Sequence, residues 1–258
     1  MRAVAIMALL LVGGSASSAA APEASRPVPG KYPFAAGEAF KYSAKLGVLS
    51  LGTASMSVAG VDTVRGIEAF VFRFGLEGGT FFFKLNNVMQ SWVATEEFVS
   101  LRFHQDNDED GKLYHRHYEI YPDSGFYRQE NREGTLEAPS RPLDDAAFFY
   151  FIRTTPLEPG HKYEYARYFR KELNPVVVTV TKREKMELPD GNKVDCLVLE
   201  PIVGDRGIFG PRAEARLWLT DDTHRVPVQI RSRLPFGTVT LRLTEMTLVE
   251  PSAAPTGH

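Results

Sequence analysis

The chain has 258 residues, of which 43% are hydrophobic, 11% aromatic and 24% charged, as in an ordinary globular protein. The formal net charge is −2 and no strongly basic or acidic run dominates, which argues against binding to nucleic acid or to anionic membrane surfaces. After residue 20 no apolar run approaches the roughly 20 residues of a transmembrane helix, so no membrane span is predicted.

The first 20 residues have the pattern of a secretory signal peptide. Arg2 precedes the apolar run 4–12, and small residues follow. Cleavage is predicted after Ala20, because cleavage one residue later would leave Pro22 at the new N-terminus. We therefore expect an exported, periplasmic protein. Residues 21–33 are rich in proline and are predicted to form a flexible leader.

From residue 34 to residue 250 the hydrophobic period is mostly two, which indicates β-strands. Turn signals recur about every ten residues, and Asp190-Gly191 is a strong hairpin signal. We predict an all-β fold, a single domain over 34–250 in which an antiparallel meander forms a curved half-barrel or barrel. Residues 251–258 are predicted to be a disordered tail. The clearest alternating segments are 40–46, 69–76, 176–186, 193–200, 215–220, 226–234 and 238–249.

One segment breaks this period and predicts a short helix over about 145–154. Asp144 is a suitable N-cap, and an aspartate at 145 also lies where the helix dipole favours negative charge. A wide apolar stripe follows, and Pro156 ends the run. The helix is expected to plug one end of the β structure or to cover one of its faces.

The stretch 106–117 has aspartates at alternate positions followed by Gly111, as in a calcium-binding loop. The twelfth position, which needs a bidentate glutamate, is His117, a poor ligand for a hard cation. The flanking segments alternate like strands, whereas the calcium motif needs helices. We interpret 106–117 as a β-hairpin with a polar tip, with the calcium loop as the alternative.

Three histidines of this hairpin could converge with Asp106, because His115 and His117 share a face and His104 lies on the opposite strand. Zinc or copper would suit such a donor set. The spacing is not diagnostic, however, and histidines on the solvent side of a hairpin are common. We predict surface histidines and no metal site; whether the loop binds a cation is left open.

No pattern nominates a nucleophile with its base, so we predict no catalytic residues, no enzymatic activity and no cofactor. Asp221 and Asp222 could be a catalytic pair, but they fall where two strands need a turn. Cys196 is the only cysteine and alternates with Val194 and Val198, which favours an inert buried thiol over a reactive one.

The aromatic residues give the best functional lead. Three phenylalanines in a row follow two glycines, and a second group lies in the predicted helix. Together they could line the mouth of a cavity for an apolar ligand, or they could simply fill the core. The candidate ligand-binding residues are Phe81, Phe82, Phe83, Phe148, Phe149, Phe151 and Arg153.

Three stretches, 34–58, 144–160 and 215–243, resemble the bacterial exported family catalogued as domain of unknown function 3108. The shared features are a Gly-Glu pair near the start, Asp145 and Arg153 followed by Pro-Leu and a glycine, and Trp-Leu-Thr-Asp-Asp near the end. The resemblance implies a Gram-negative envelope protein with antiparallel β architecture and implies no reaction. Arg153 lies two helical turns after Asp145, where it can bind the last helix carbonyls or, alternatively, a ligand.

These observations favour a non-catalytic periplasmic β protein that binds or carries an apolar or amphipathic component of the cell envelope. The alternative is an envelope scaffold or interaction protein with a filled core and no small-molecule ligand. A hydrolase of envelope polymers is the weakest hypothesis, since no acid and base pair stands out. The expected partners are a lipid or other apolar envelope molecule and envelope proteins. The sequence leaves the ligand, the protein partners and the oligomeric state open.

Overall fold

The computed structural model of the protein describes residues 32–80, 83–109, 111–204, 209–235 and 237–249. The predicted signal peptide, nearly all of the predicted leader and the predicted tail lie outside these residues. Within them no helix is both long and apolar enough to cross a membrane.

The described chain forms fourteen strands and one α-helix, and the predicted antiparallel meander is confirmed. The helix ends one residue before the predicted boundary. The elements are β1 Ala39–Leu46, β2 Leu49–Val64, β3 Ile67–Thr80, β4 Phe83–Ala94, β5 Ser100–Glu109, β6 Lys112–Tyr121, β7 Phe126–Gln129, β8 Leu136–Glu137, α1 Asp145–Arg153, β9 Lys162–Tyr165, β10 Val176–Glu187, β11 Lys193–Ile202, β12 Arg216–Thr220, β13 Pro227–Leu234 and β14 Gly237–Thr247.

All fourteen strands belong to one antiparallel sheet in the order β8-β7-β6-β5-β4-β3-β2-β1-β14-β13-β12-β11-β10-β9. Strands β1 to β8 form one arm and β9 to β14 the other, and the pairing of β1 with β14 joins them. Strands β8 and β9 pair on one side only, so the sheet is open. Because α1 lies between β8 and β9 in the chain, it connects the two edges of the sheet.

The strands follow from alternation and from glycine turns. In β1 the buried side chains are Phe40, Tyr42 and Ala44, as the period of two predicts. The turn between β10 and β11 places Gly191 at φ +86°, a conformation that glycine adopts without a steric penalty. The residue before it, Asp190, accepts a hydrogen bond from the backbone N–H of Asn192.

The main core lies between the inner face of the sheet and α1. Phe72 of β3 stacks on Tyr150 of α1 with ring centroids 3.8 Å apart, and Phe34 packs edge-on against Tyr150 at 4.9 Å. All three side chains are almost completely buried. Aromatic packing therefore fixes the helix on the sheet and fills the space beneath it.

The outer face of the sheet carries smaller apolar clusters. Cys196 and Val198 pack there with Trp218 and Val228, whereas Leu197 contributes to the main core. Both faces of strand β11 are therefore buried. The alternation correctly predicted that Cys196 is buried, but its side chain lies on the outer face of the sheet and not on the face that packs in the main core. The thiol is buried, and burial raises its pKa to about 12, which agrees with an unreactive cysteine.

Candidate functional site

Helix α1 begins at a buried carboxyl group. Asp144 accepts hydrogen bonds from the backbone N–H groups of Ala146 and Ala147 at 3.0 and 2.9 Å, which confirms the predicted N-cap. Ser91 of β4 donates to its second oxygen at 2.5 Å. Burial raises the pKa of Asp144 to about 7 despite these hydrogen bonds. Loss of solvation therefore outweighs the helix dipole that was expected to favour the charged form.

The helix has one face in the core and one face beside a pocket. Tyr150 and Phe151 are buried, whereas Phe148 and Phe149 are only partly buried. The second pair lies on the side that faces the arm of strands β10 to β12. Two aromatic side chains of α1 are therefore available to a molecule that enters this space.

The pocket is shallow: its cavity volume is about 40 Å³, and the rest of the space between its walls is open to solvent. Phe149 packs edge-on against Phe209 with ring centroids 5.6 Å apart, so the two rings form one continuous part of the wall. The walls are almost wholly apolar, as in pockets that hold small apolar ligands. The lining residues are Asp145, Phe148, Phe149, Ile152, Tyr168, Val178, Leu199, Pro201, Val203, Phe209 and Leu217.

One polar group lies in the pocket wall. The hydroxyl of Tyr168 donates to Asp145 at 2.9 Å, and the guanidinium of Arg170 donates to that hydroxyl at 3.2 Å. Burial raises the pKa of Asp145, although the charge of Arg170 opposes this effect. The carboxyl of Asp145 and the hydroxyl of Tyr168 are thus the polar groups of the lining, while Arg170 bonds Tyr168 without lining the pocket itself.

The predicted ligand-binding residues separate into three groups. Phe148 and Phe149 line the pocket. Phe151 packs in the core against Tyr165, with ring centroids 5.2 Å apart, and does not line it. Of the phenylalanine triplet, residues 81 and 82 lie outside the described residues, and Phe83 opens β4. The triplet therefore stays a prediction.

Arg153 lies in the interior, and its side chain is inaccessible to solvent. The guanidinium donates to both carboxylate oxygens of Glu38 at 2.7 and 2.8 Å. It also donates to the backbone carbonyls of Pro33 and His224. The expected contacts with the last helix carbonyls are replaced by this long-range pair. Both terminal nitrogens therefore bind protein atoms, whereas Nε has no hydrogen-bond partner among the described residues.

The hairpin interpretation of 106–117 is confirmed, since β5 and β6 flank the turn. Asp108 accepts a hydrogen bond from the backbone N–H of Gly111 at 2.8 Å, as in a solvated turn. The histidines converge on the outer face: Asp106 lies within 2.6 Å of His115 Nδ1 and 2.8 Å of His117 Nε2. His104 stacks on His117, with ring centroids 4.0 Å apart.

The second suspected carboxylate pair is a turn, as predicted. Asp222 accepts hydrogen bonds from the hydroxyl of Thr220 and from the backbone N–H groups of His224 and Arg225. Asp221 forms ion pairs with Arg183 and Arg225. These contacts satisfy both carboxylates and leave neither facing the pocket.

A family model described as "Protein of unknown function (DUF3108)" matches residues 41–244. The chain belongs to this family. No curated protein matches the chain. Among solved structures, the DUF3108 chain is similar to a beta-barrel-like protein of domain of unknown function DUF1849 from Brucella abortus, at a TM-score of 0.50 and 10% identity, covering 83% of this chain and 98% of that chain. Such a likeness bears on the fold alone.

A second solved structure, the hypothetical protein CT021 from Chlamydia trachomatis, is 10% identical and covers 84% of this chain and 89% of that chain. Its TM-score is 0.26, too low to support an argument. The family match over residues 41–244 confirms the DUF3108 resemblance drawn from the sequence. The likeness to the beta-barrel-like protein from Brucella abortus agrees with the predicted fold.

The residues that carried the DUF3108 resemblance meet at one point of the structure. Glu38 comes from the Gly-Glu pair before β1, Arg153 from the end of α1, and His224 from the turn after β12. Three separate parts of the chain are therefore joined by one guanidinium. These motif residues therefore have a structural role, because the charged groups of Glu38 and Arg153 bind each other.

Sequence reasoning missed most of the pocket wall. Val178, Leu199 and Leu217 were predicted only as strand residues, and Phe209 lies in an irregular segment without a motif. The available signal was the amphipathic helix, whose exposed aromatic residues needed a partner surface. Tertiary pairing of β10 to β12 beside α1 supplies that surface, and no local pattern encodes it.

Proposed function

We propose that this DUF3108 protein is an exported, non-catalytic envelope protein that binds an apolar or amphipathic molecule in the pocket beside α1. The observation that supports this proposal is the pair of partly exposed phenylalanines, Phe148 and Phe149, which together with Phe209 line an almost wholly apolar pocket. Removing apolar area from water stabilises a complex by about 25 cal/mol per Å². Such a surface gains most from an apolar ligand.

The size and chemistry of the pocket narrow the ligand class. A cavity of about 40 Å³ that opens to solvent suits the end of one hydrocarbon chain lying against the apolar walls. Asp145 and Tyr168 also line the pocket, and their carboxyl and hydroxyl groups suit a polar group beside the apolar part of the ligand. A lipid with the end of one chain in the pocket fits both features.

Export to the periplasm is part of the proposal and rests on the N-terminal sequence. Arg2, the apolar run 4–12 and the small residues before the predicted cleavage site are typical of a signal peptide. Mass spectrometry of the N-terminal peptide of protein recovered from periplasm tests this directly. We expect a chain beginning at Ala21, and an intact N-terminus in the cytoplasmic fraction would refute export.

Native mass spectrometry of the purified protein, followed by solvent extraction and lipid analysis, tests the binding function. We expect an adduct that disappears on unfolding and is recovered in the extract. To test whether the pocket is the binding site, a fluorescent fatty acid is titrated into the delipidated wild-type protein and into the delipidated Phe149→Ala variant. Loss of the aromatic wall should weaken binding about tenfold, equivalent to 1.4 kcal/mol.

The matched control is Phe126→Ala, which removes a partly buried aromatic residue of β7 that stacks on Tyr121 and does not line the pocket. Binding by this variant should equal that of the wild type. Equal weakening by both variants, or no binding by the wild type, would contradict the pocket as the ligand site.

The alternative function is an interaction protein without a small-molecule ligand. The stacked and buried rings of Phe72, Phe34 and Tyr150 favour it, because they fill the main core. A bare mass and no fatty-acid binding, together with co-purification of a stoichiometric protein partner, would support this alternative over the first.

A further inference from the structure

The outer face of the β5–β6 hairpin holds a cluster of metal-ligating groups remote from the pocket. In the antiparallel register Asp106 lies opposite His115, and His104 opposite His117. All four point away from the main core, since Phe103 of the same strand is in that core and side chains alternate. Glu130 follows β7 and bonds the carbonyl of His117 through its backbone N–H.

Three ligand atoms of this cluster lie within 4.8 Å of one another: one oxygen of Asp106 and one ring nitrogen each of His115 and His117. The two nitrogens lie 2.6 and 2.8 Å from the same Asp106 oxygen. Ligands of a tetrahedral zinc ion lie about 3.3 Å apart, given bond lengths near 2.0 Å. A shift of roughly half an ångström, within the reach of side-chain rotation, would admit an ion.

The hydrogen-bond partners of His117 also suit a bound cation. Its Nδ1 lies 2.7 Å from Glu130 and its Nε2 lies 2.8 Å from Asp106, so both ring nitrogens face carboxylate oxygens. An imidazolium has two N–H groups and satisfies both contacts, whereas a neutral imidazole has one N–H and satisfies only one of them. A metal ion at Nε2 would satisfy the other, with Nδ1–H donating to Glu130, which is the usual outer-shell arrangement of a metal-bound histidine.

The ring orientations are fixed by packing. His104 stacks on His117 at 4.0 Å, and Trp92 packs edge-on against His104 at 5.0 Å. Such a supported arrangement reduces the ordering that binding requires. Because the donors are two imidazole nitrogens and one carboxylate oxygen, the suitable ions are Zn²⁺ and Cu²⁺, and Ca²⁺ and Mg²⁺ are poor matches.

We propose that Asp106, His115 and His117 form a binding site for a divalent transition-metal ion, Zn²⁺ or Cu²⁺, with Glu130 orienting His117. The proposal is independent of the apolar pocket, which lies on the inner side of the sheet with α1. It replaces the interpretation of these residues as surface histidines, which rested on spacing without the strand register.

The experiment is calorimetric titration of Zn²⁺ and Cu²⁺ into EDTA-treated protein that carries no polyhistidine tag. We expect one equivalent to bind, with affinity reduced at least about 100-fold in His117→Ala and about 10- to 100-fold in Glu130→Gln, in line with the loss of a ligand and of an outer-shell partner. His161→Ala is the matched control, because His161 is an exposed histidine beside an acidic residue, Glu158, at 3.9 Å.

A second readout separates ligand loss from unfolding. The electron paramagnetic resonance spectrum of the Cu²⁺ complex should show two nitrogen ligands in the wild type and one in His115→Ala, with circular dichroism confirming that the variant is folded. The proposal is overturned if the wild type binds no equivalent of either ion. It is equally overturned if folded His117→Ala binds as tightly as the wild type.

Discussion

Replacing Glu38 by glutamine should be among the most destabilising conservative substitutions in this protein. It removes the negative charge opposite Arg153, whose two nitrogens donate to the Glu38 oxygens at 2.7 and 2.8 Å. The exposed fractions of the two side chains are 0% for Arg153 and 1% for Glu38. Water therefore cannot replace the lost partner, and the buried guanidinium is left without a counter-charge.

The expected magnitude follows from this burial. Removing one partner of a buried ion pair lowers the free energy of unfolding by about 3–5 kcal/mol. Two carbonyls, of Pro33 and His224, and the faces of Phe34, Phe40 and Tyr150 remain around the guanidinium. These contacts keep the loss near the lower end of that range. The melting temperature should fall by roughly 10 °C for a chain of this size.

Urea unfolding followed by tryptophan fluorescence measures the change. The control is Lys41→Met, which breaks an ion pair of the same 2.7 Å length in which both side chains are 65% exposed. An exposed pair contributes less than about 1 kcal/mol. The double variant Glu38→Gln/Arg153→Met should recover part of the loss, because no unpaired charge remains buried. If Glu38→Gln loses no more stability than Lys41→Met, the buried pair does not join α1 to the sheet as argued.

The remaining predictions concern the helix cap and two glycines, one inside strand β3 and one in a turn. Asp144, whose pKa is raised from 3.8 to about 7, binds its proton more tightly when folded, so its stabilising contribution is complete below pH 4 and is lost as pH rises through 7. Over this range the free energy of unfolding should fall by about 4 kcal/mol. In Asp144→Asn the free energy of unfolding should therefore depend less on pH between 4 and 7. An unchanged slope would refute the assignment to Asp144. Gly78→Ala should prevent normal folding, because an added Cβ would lie 1.9 Å from the backbone oxygen of Leu51, and native circular dichroism with an unchanged melting temperature would contradict this. Gly191→Ala meets no neighbouring atom and should lower stability by only about 1–2 kcal/mol through its positive φ, measured by urea unfolding.

Much of the fold could be predicted from local sequence because each strand shows its own alternation. The buried residues of β1 follow a period of two, and Asp190-Gly191 forms the turn that its residue types predict. The N-cap at Asp144 follows from the short carboxylate before an apolar helical run. These features depend on backbone geometry within a few residues, which is why they are readable without the tertiary structure.

The face that each strand buries was less predictable. Cys196 and Val198 lie on the same face of β11, as the alternation predicts. That face packs in the outer cluster with Trp218, whereas Leu197, on the opposite face, packs in the main core. Where both faces of a strand are buried, alternation gives the period but cannot say which side faces α1. Only the packing of the two arms of the sheet decides this.

The same distinction holds for the sites. The local pattern of residues predicts that the helix presents aromatic side chains and that His115 and His117 share a face. Which aromatic residues remain accessible, Phe148 and Phe149 but not Phe151, was decided by how α1 rests on the sheet. The partners of Arg153 and the convergence of Asp106 with two histidines depend on strand register and on contacts between distant parts of the chain. Such contacts form only when the whole sheet assembles, so no local pattern of residues specifies them.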